Sequence, residues 1–308
     1  MVVKNKSKKH KKHNKRQIKK RQQRSKKIKK RNPIKKNAMC SPLSKSRSNN
    51  TCFSRDALIR IADYWNGNHS NKIKISKNTN NLWKNINKKF DKYCDKETCW
   101  VEQDFFDTKT KKNLKDNFKP KMPTTWGKKP REWLTTVDIR NVMRQYDDKH
   151  DDFMFIGPVP IDFDHKYDMG TCIVNELCNI NVNELLKNKI TRLGVIFNTD
   201  PHNKSGEHWI SLFADLNKGV YFFDSYGLKP PTEIDTLMKR LQSQCKALNI
   251  DIEMEYNDKQ HQFKNSECGV YSMNFIIQFL NGRKFLDIIN DIIPDDDMQK
   301  NRYVFYRK

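Results

Sequence analysis

Apolar residues recur at helical spacing through Leu58, Ile61, Ala62 and Trp65, behind a Ser54 placed to cap the helix they predict. A second helical pattern runs through Leu82, Ile86, Phe90 and Tyr93. From Trp133 onward the pattern is mixed. Ile139, Val142, Met143 and Tyr146 keep helical spacing, while residues 153–161 and 193–198 read as apolar strands. Segments 208–215 and 220–224 form the two sides of a hairpin around Asn217, Lys218 and Gly219, with Gly where a positive φ is wanted. A helix after Pro231 (Ile234, Leu237, Leu241, Cys245, Leu248) precedes a strand over 250–256. The last helix carries Val270, Met273, Ile276, Ile277 and Leu280. This order predicts an α+β fold, with an antiparallel-rich central sheet packed against helices.

Charge divides the chain. The formal net charge is +25, yet 22 of the 61 basic residues fall in residues 1–55, where the first acidic residue is still to come at Asp56. The remainder is almost balanced. Residues 1–36 hold too few apolar groups to offset the entropy of ordering, so disorder is expected there. Such a basic run suits polyphosphate surfaces such as nucleic acid, bound non-specifically, or a nuclear-import receptor; the alternative is a solubilising tail with no specific partner. Three prolines within 117–131 mark a boundary. The expected organisation is therefore a disordered basic tail (1–55), a helical accessory arm without an independent core (56–125) and a catalytic domain (126–308).

No apolar run approaches the length of a membrane span, so no membrane partner is expected. The eight cysteines lack a compact disulfide spacing, which points to a reducing compartment. Cys94/Cys99 and Cys172/Cys178 are loose for zinc, and neither a metal site nor a cofactor is expected.

Chemistry concentrates near the C-terminal end. Cys268 opens a helix, where unpaired N–H groups and the helix dipole favour a thiolate, and Gly269 leaves the backbone open to close approach. A general base is needed to take the thiol proton. His208 begins one hairpin strand and Asp224 ends the other, so both reach one end of the sheet. A three-residue loop would put them on the same face and a two-residue loop would not. Asp224 would orient the imidazole and stabilise imidazolium. Acyl transfer also needs donors for the oxyanion; Gln262 offers an amide, with Gln260 and His261 as adjacent competitors. His150, His165 and His202 lie in polar loops and lack a carboxylate on a paired element.

Gly206-Glu-His208-Trp209, Phe222-Phe-Asp224-Ser225 and Gln262-x5-Cys268-Gly269 resemble, in order and spacing, the signature of the adenain and ubiquitin-like-protein protease clan of cysteine peptidases. Trp133-Leu134-Thr135 is similar to the segment that opens the catalytic domain in many members. The resemblance covers about residues 130–285. It implies an adenain-like (papain-like) core, a His208–Asp224–Cys268 triad with Gln262 as oxyanion donor, and cleavage after Gly-Gly or a similar small pair in a narrow cleft lined by Trp209. The N-terminal arm and Glu267 before the cysteine are closer to maturation proteases of large DNA viruses, such as African swine fever virus and giant amoebal viruses. The expected function is a thiol endopeptidase that processes viral structural precursors, acting in the virion and the cytoplasmic viral factory, with the nucleus as a further location. The rivals are an isopeptidase acting on ubiquitin-like conjugates of host proteins, and a catalytically dead nucleic-acid-binding virion protein.

Overall fold

The computed structural model describes residues 39–46, 50–168 and 170–308. The basic run over 1–36 lies outside the described residues. Ser54 caps helix α1 (Arg55–Asn68) by accepting from the Ala57 N–H, and the predicted Leu58, Ile61, Ala62 and Trp65 face is buried. Helix α2 (Thr79–Phe90) buries Leu82, Ile86 and Phe90. The predicted pattern overran it: Tyr93 lies beyond the helix and is 67% exposed.

These helices enclose a cluster of their own, against the expectation of an arm without a core. Phe53, Trp65, Phe90, Trp100, Phe106 and Phe118 are buried together. Phe90 stacks on Trp100 with ring centroids 5.2 Å apart, and Phe118 meets Phe53 edge-on at the same separation. Part of the predicted tail completes this cluster. Cys52 and Phe53 are buried, and the Ser41 N–H donates to the Asn117 carbonyl. Six aromatic side chains supply the arm with more apolar surface than its helices' polar faces suggest.

Three disulfides join Cys40 to Cys52, Cys94 to Cys99 and Cys172 to Cys178. This corrects the expectation of reduced thiols. Chain folding brings the pairs together, which linear spacing does not reveal. Cys245 and Cys268 are free and buried. Phe118 belongs to the arm cluster and Trp126 to the main one, so the chain passes between them within the proline-rich stretch.

Helix α3 (Thr136–Asp147) starts with a capping box between Thr135 and Asp138 and buries Ile139, Val142 and Met143. A five-stranded sheet follows in the order β1 (Phe153–Pro160), β2 (Arg192–Asn198), β3 (Trp209–Asp215), β4 (Gly219–Phe223) and β5 (Glu253–Tyr256). The α+β class stands, but the sheet is evenly mixed. The two central pairings are antiparallel, while β1–β2 and β4–β5 are parallel. Parallel neighbours need long crossovers, supplied here by residues 161–191 and by helix α4 (Thr232–Ala247).

Alternation along β3 and β4 separates two cores. Ile210, Leu212, Ala214, Val220 and Phe222 pack with Leu237 and Leu241 of α4. Trp209, Phe213, Tyr221 and Phe223 pack with Val270, Met273, Phe275 and Ile276 of helix α5 (Cys268–Leu280). Helix α5 is buried nearly all round, as a central helix must be when it is apolar on every face.

Candidate active site

Each predicted residue is placed by an element end. His208 immediately precedes β3 and Asp224 immediately follows β4. Asp215 pairs with Gly219, which leaves a three-residue loop, so the two residues share strand parity. His208 Nε2 lies 2.8 Å from Asp224 Oδ1. Both side chains are largely buried, at 14% and 6% exposed. Asp224 Oδ1 also accepts the Tyr226 N–H at 2.8 Å, and its backbone carbonyl accepts from Asn257 Nδ2 at 2.9 Å. Tyr226 stacks on the imidazole with centroids 4.7 Å apart. The ring therefore has its edge held by a carboxylate and one face covered by a phenol.

Cys268 is the first residue of α5, with Glu267 at the cap position. It lies near enough to His208 for its charge to act on the imidazole. Because Nε2 faces Asp224, the nitrogen left for the thiol is Nδ1. Burial works against the imidazolium, but the hydrogen bond to Asp224, with the charges of Asp224 and Cys268, outweighs it and pushes the His208 pKa up to about 9. A protonated imidazole is thereby favoured beside a sulfur at a helix N-terminus.

Gln262 is fully buried. Its Oε1 accepts from the Ser225 hydroxyl at 2.7 Å, and its Nε2 donates one hydrogen to the Lys264 carbonyl at 2.6 Å. The amide is thus fixed beside the residue that follows Asp224, with its second N–H to spare. The competitors are otherwise engaged. Gln260 donates to the Gln262 carbonyl, and His261 Nε2 faces the Ile289 carbonyl with Phe223 against its ring.

Trp209 Nε1 donates to the Leu134 carbonyl at 2.9 Å, and the Ser272 hydroxyl donates to the Trp209 carbonyl at 3.0 Å. These bonds lock strand, helix and domain entry together. A Cβ on Gly269 would lie 3.1 Å from Trp209 Cδ1 and 3.2 Å from Leu134 Cβ. An open cleft of about 500 Å³ is lined by Trp133, Leu134, Pro158, Ile173, His202 and Trp209 among others. Trp209 and Leu134 belong to both the cleft wall and the Gly269 contact, so the cleft ends beside Cys268.

Sequence reasoning missed several groups. His202 Nδ1 lies 2.6 Å from Asp162 Oδ2, so this loop histidine does have a carboxylate partner. Tyr226 and Asn257, which hold His208 and Asp224, were not singled out. The Tyr-Gly pair after Asp224-Ser225 was the available signal for a tight turn there. Among the described residues, no three His, Cys, Asp or Glu side chains are grouped to hold a metal ion. No helix of the described residues is long and apolar enough to cross a membrane.

A helix-opening cysteine near a histidine that is itself held by an aspartate, on a mixed sheet, defines the class of cysteine peptidases. Residues 179–306 match the C-terminal catalytic domain of the Ulp1 protease family. A protein of Acanthamoeba polyphaga mimivirus whose name describes a thiol protease is 30% identical over 292 residues, covering 87% of this chain and 93% of its own length. The SUMO-1 cysteine protease of African swine fever virus is 24% identical over 184 residues, 56% of this chain and 67% of that protein. The crystal structure of the African swine fever virus protease has the same fold, with a TM-score of 0.62 over 87% of this chain and 95% of that one, at 19% identity. The chain belongs to the Ulp1 protease family and is a cysteine peptidase.

Proposed function

We propose that Cys268 is the nucleophile, His208 the general base and acid, Asp224 the orienting carboxylate and Gln262 an oxyanion donor. The observation that carries this is His208, held by Asp224 at 2.8 Å with Cys268 close enough to act on its charge. In acylation the Cys268 thiolate attacks the scissile carbonyl. The negative oxygen is met by the spare Gln262 N–H and the backbone N–H of Cys268. His208 then protonates the departing amine, and a water molecule, deprotonated by the same imidazole, hydrolyses the thioester.

The substrates proposed are proteins cut after Gly-Gly-like pairs. In support, Trp209 and Leu134 line the open cleft and also pack on Gly269, which puts one wall of that cleft next to the cysteine. Viral structural precursors, processed in the particle and in the cytoplasmic viral factory, are the preferred targets. In favour are the viral relatives and the arm, which is shared with a viral protease fold. A second reading, removal of ubiquitin-like modifiers, is favoured by the name of the African swine fever virus relative as a SUMO-1 protease. Cys268→Ala and wild-type enzyme assayed on Gly-Gly precursor peptides and on modifier conjugates decide between them. Cleavage of neither by the wild-type enzyme defeats both readings, leaving the nucleic-acid-binding virion protein. Cleavage of conjugates alone rejects the maturation role.

A further inference from the structure

Glu267 directly precedes Cys268, and its carboxylate is completely buried. A charge in such a place needs compensation. Oε1 accepts from Arg131 Nη1 at 2.7 Å and from the Ser266 hydroxyl at 2.7 Å, while Oε2 makes no hydrogen bond among the described residues. Arg302, 1% exposed, donates from Nη2 to the carbonyl of the neighbouring Ser266 at 3.2 Å. Its Nε and Nη1 also make no hydrogen bond among the described residues. The guanidinium is seated 4.6 Å over the Trp126 ring. Its turn of helix is tied down where Arg307 exchanges backbone bonds with Pro120 and Met122, the chain between arm and catalytic domain.

We propose that Arg302 is a positioning residue: with Arg131 it neutralises Glu267 and holds the Ser266–Glu267 turn, so that the start of α5 presents a net positive field to the Cys268 sulfur. Left alone, the Glu267 carboxylate would oppose a thiolate one residue away and cancel what the helix dipole contributes. Arg302 interacts with the charge of Cys268 as well as with Glu267. The other ionisable groups around this pair are His208, Asp224, Tyr226, Tyr271 and Asp295 at the site, Asp138 and Tyr306 near Arg302, and Asp296 with its partner Lys264 beyond Arg131. None of them is a second buried cation next to Glu267. The two arginines approach it from the domain entry and the C-terminal helix, two segments that the motif itself does not include.

The proposal rests on Cys268 being the nucleophile, and the test separates the two ideas. Alkylation of Cys268 by iodoacetamide, read residue by residue by mass spectrometry against pH, reports the thiolate directly. A wild-type midpoint no lower than that of an ordinary thiol overturns the catalytic assignment itself. Given a low wild-type midpoint, Arg302→Met is expected to raise it by about one unit and to lower kcat about tenfold with KM little changed. Adding Glu267→Gln is expected to restore the midpoint. A purely packing role for Arg302 would predict no such restoration. Arg131→Gln acts on the same carboxylate from the more exposed side and carries the test if Arg302→Met does not fold. An unchanged midpoint in whichever of these variants folds, or no rescue by Glu267→Gln, overturns the proposal.

Discussion

Nε2 of His208 and Oδ1 of Asp224 stand 2.8 Å apart across the ends of two strands joined by only three residues. The short loop brings the far ends of both strands to one edge of the sheet, where base and orienter meet. Because neither residue lies within a strand, the pleat does not confine them to the α4 side of the sheet. They reach Cys268, which enters from the opposite side on α5.

Removing members of this set should cost rate far more than stability. Cys268→Ala is expected to abolish hydrolysis. Asp224→Asn should lower kcat by roughly 10²–10⁴-fold, since the tautomer and the imidazolium both lose their partner. Steady-state kinetics on a Gly-Gly peptide, with circular dichroism to verify folding, checks both.

The pH profile follows from His208. With its pKa raised to about 9, the His208 imidazolium persists through neutral pH, and kcat/KM should fall on the alkaline side near pH 9. The same shift acts on stability. The folded value lies above the ordinary 6.5, so this stabilisation is complete below about pH 6.5 and is lost as the pH rises through about 9. His208→Gln should flatten that part of a denaturation-versus-pH curve; an identical slope in the variant would reject the assignment.

Gly269 tests the packing between the cysteine helix and the cleft wall. An added Cβ meets Trp209 and Leu134 within 3.2 Å, a crowding worth about 1–3 kcal/mol in a packed interior. Ala is the better helix former by about 1 kcal/mol, which offsets part of that. Gly269→Ala should therefore show a modest Tm change and a larger fall in kcat/KM. Full activity would place the substrate elsewhere.

The arm offers a redox test. The Cys40–Cys52 bridge closes a short loop, with a sequence separation of 12, over the aromatic cluster. Cys40→Ser should destabilise the protein by about 3 kcal/mol, seen as a lower urea midpoint under non-reducing conditions. Equal midpoints would show that the bridge does not form in solution.

The basic tail carries its own prediction. Deletion of residues 1–36 should remove salt-sensitive DNA binding while leaving peptide hydrolysis unchanged. Equal DNA affinity in the truncated protein would reject it.

Much of this protein can be read along the chain, because certain signals are local. Ser54 announces its helix through a short-range cap, and Leu58, Ile61, Ala62 and Trp65 mark a buried face by period alone. The order His208, Asp224, Gln262, Cys268 is likewise a property of the chain, and the resemblance of those motifs brings the family with it. Other features depend on segments far apart in sequence, and no local period encodes them. Folding fixed the Gln262 amide by where Ser225 and Lys264 fall. It closed Phe53 and Phe118 over one aromatic cluster and made the outer strand pairings parallel through long crossovers. It also brought Arg131 and Arg302, separated by most of the catalytic domain, to the Ser266–Glu267 turn next to Cys268. Periodicity reports which side of an element is covered; what covers it depends on the path of the rest of the chain.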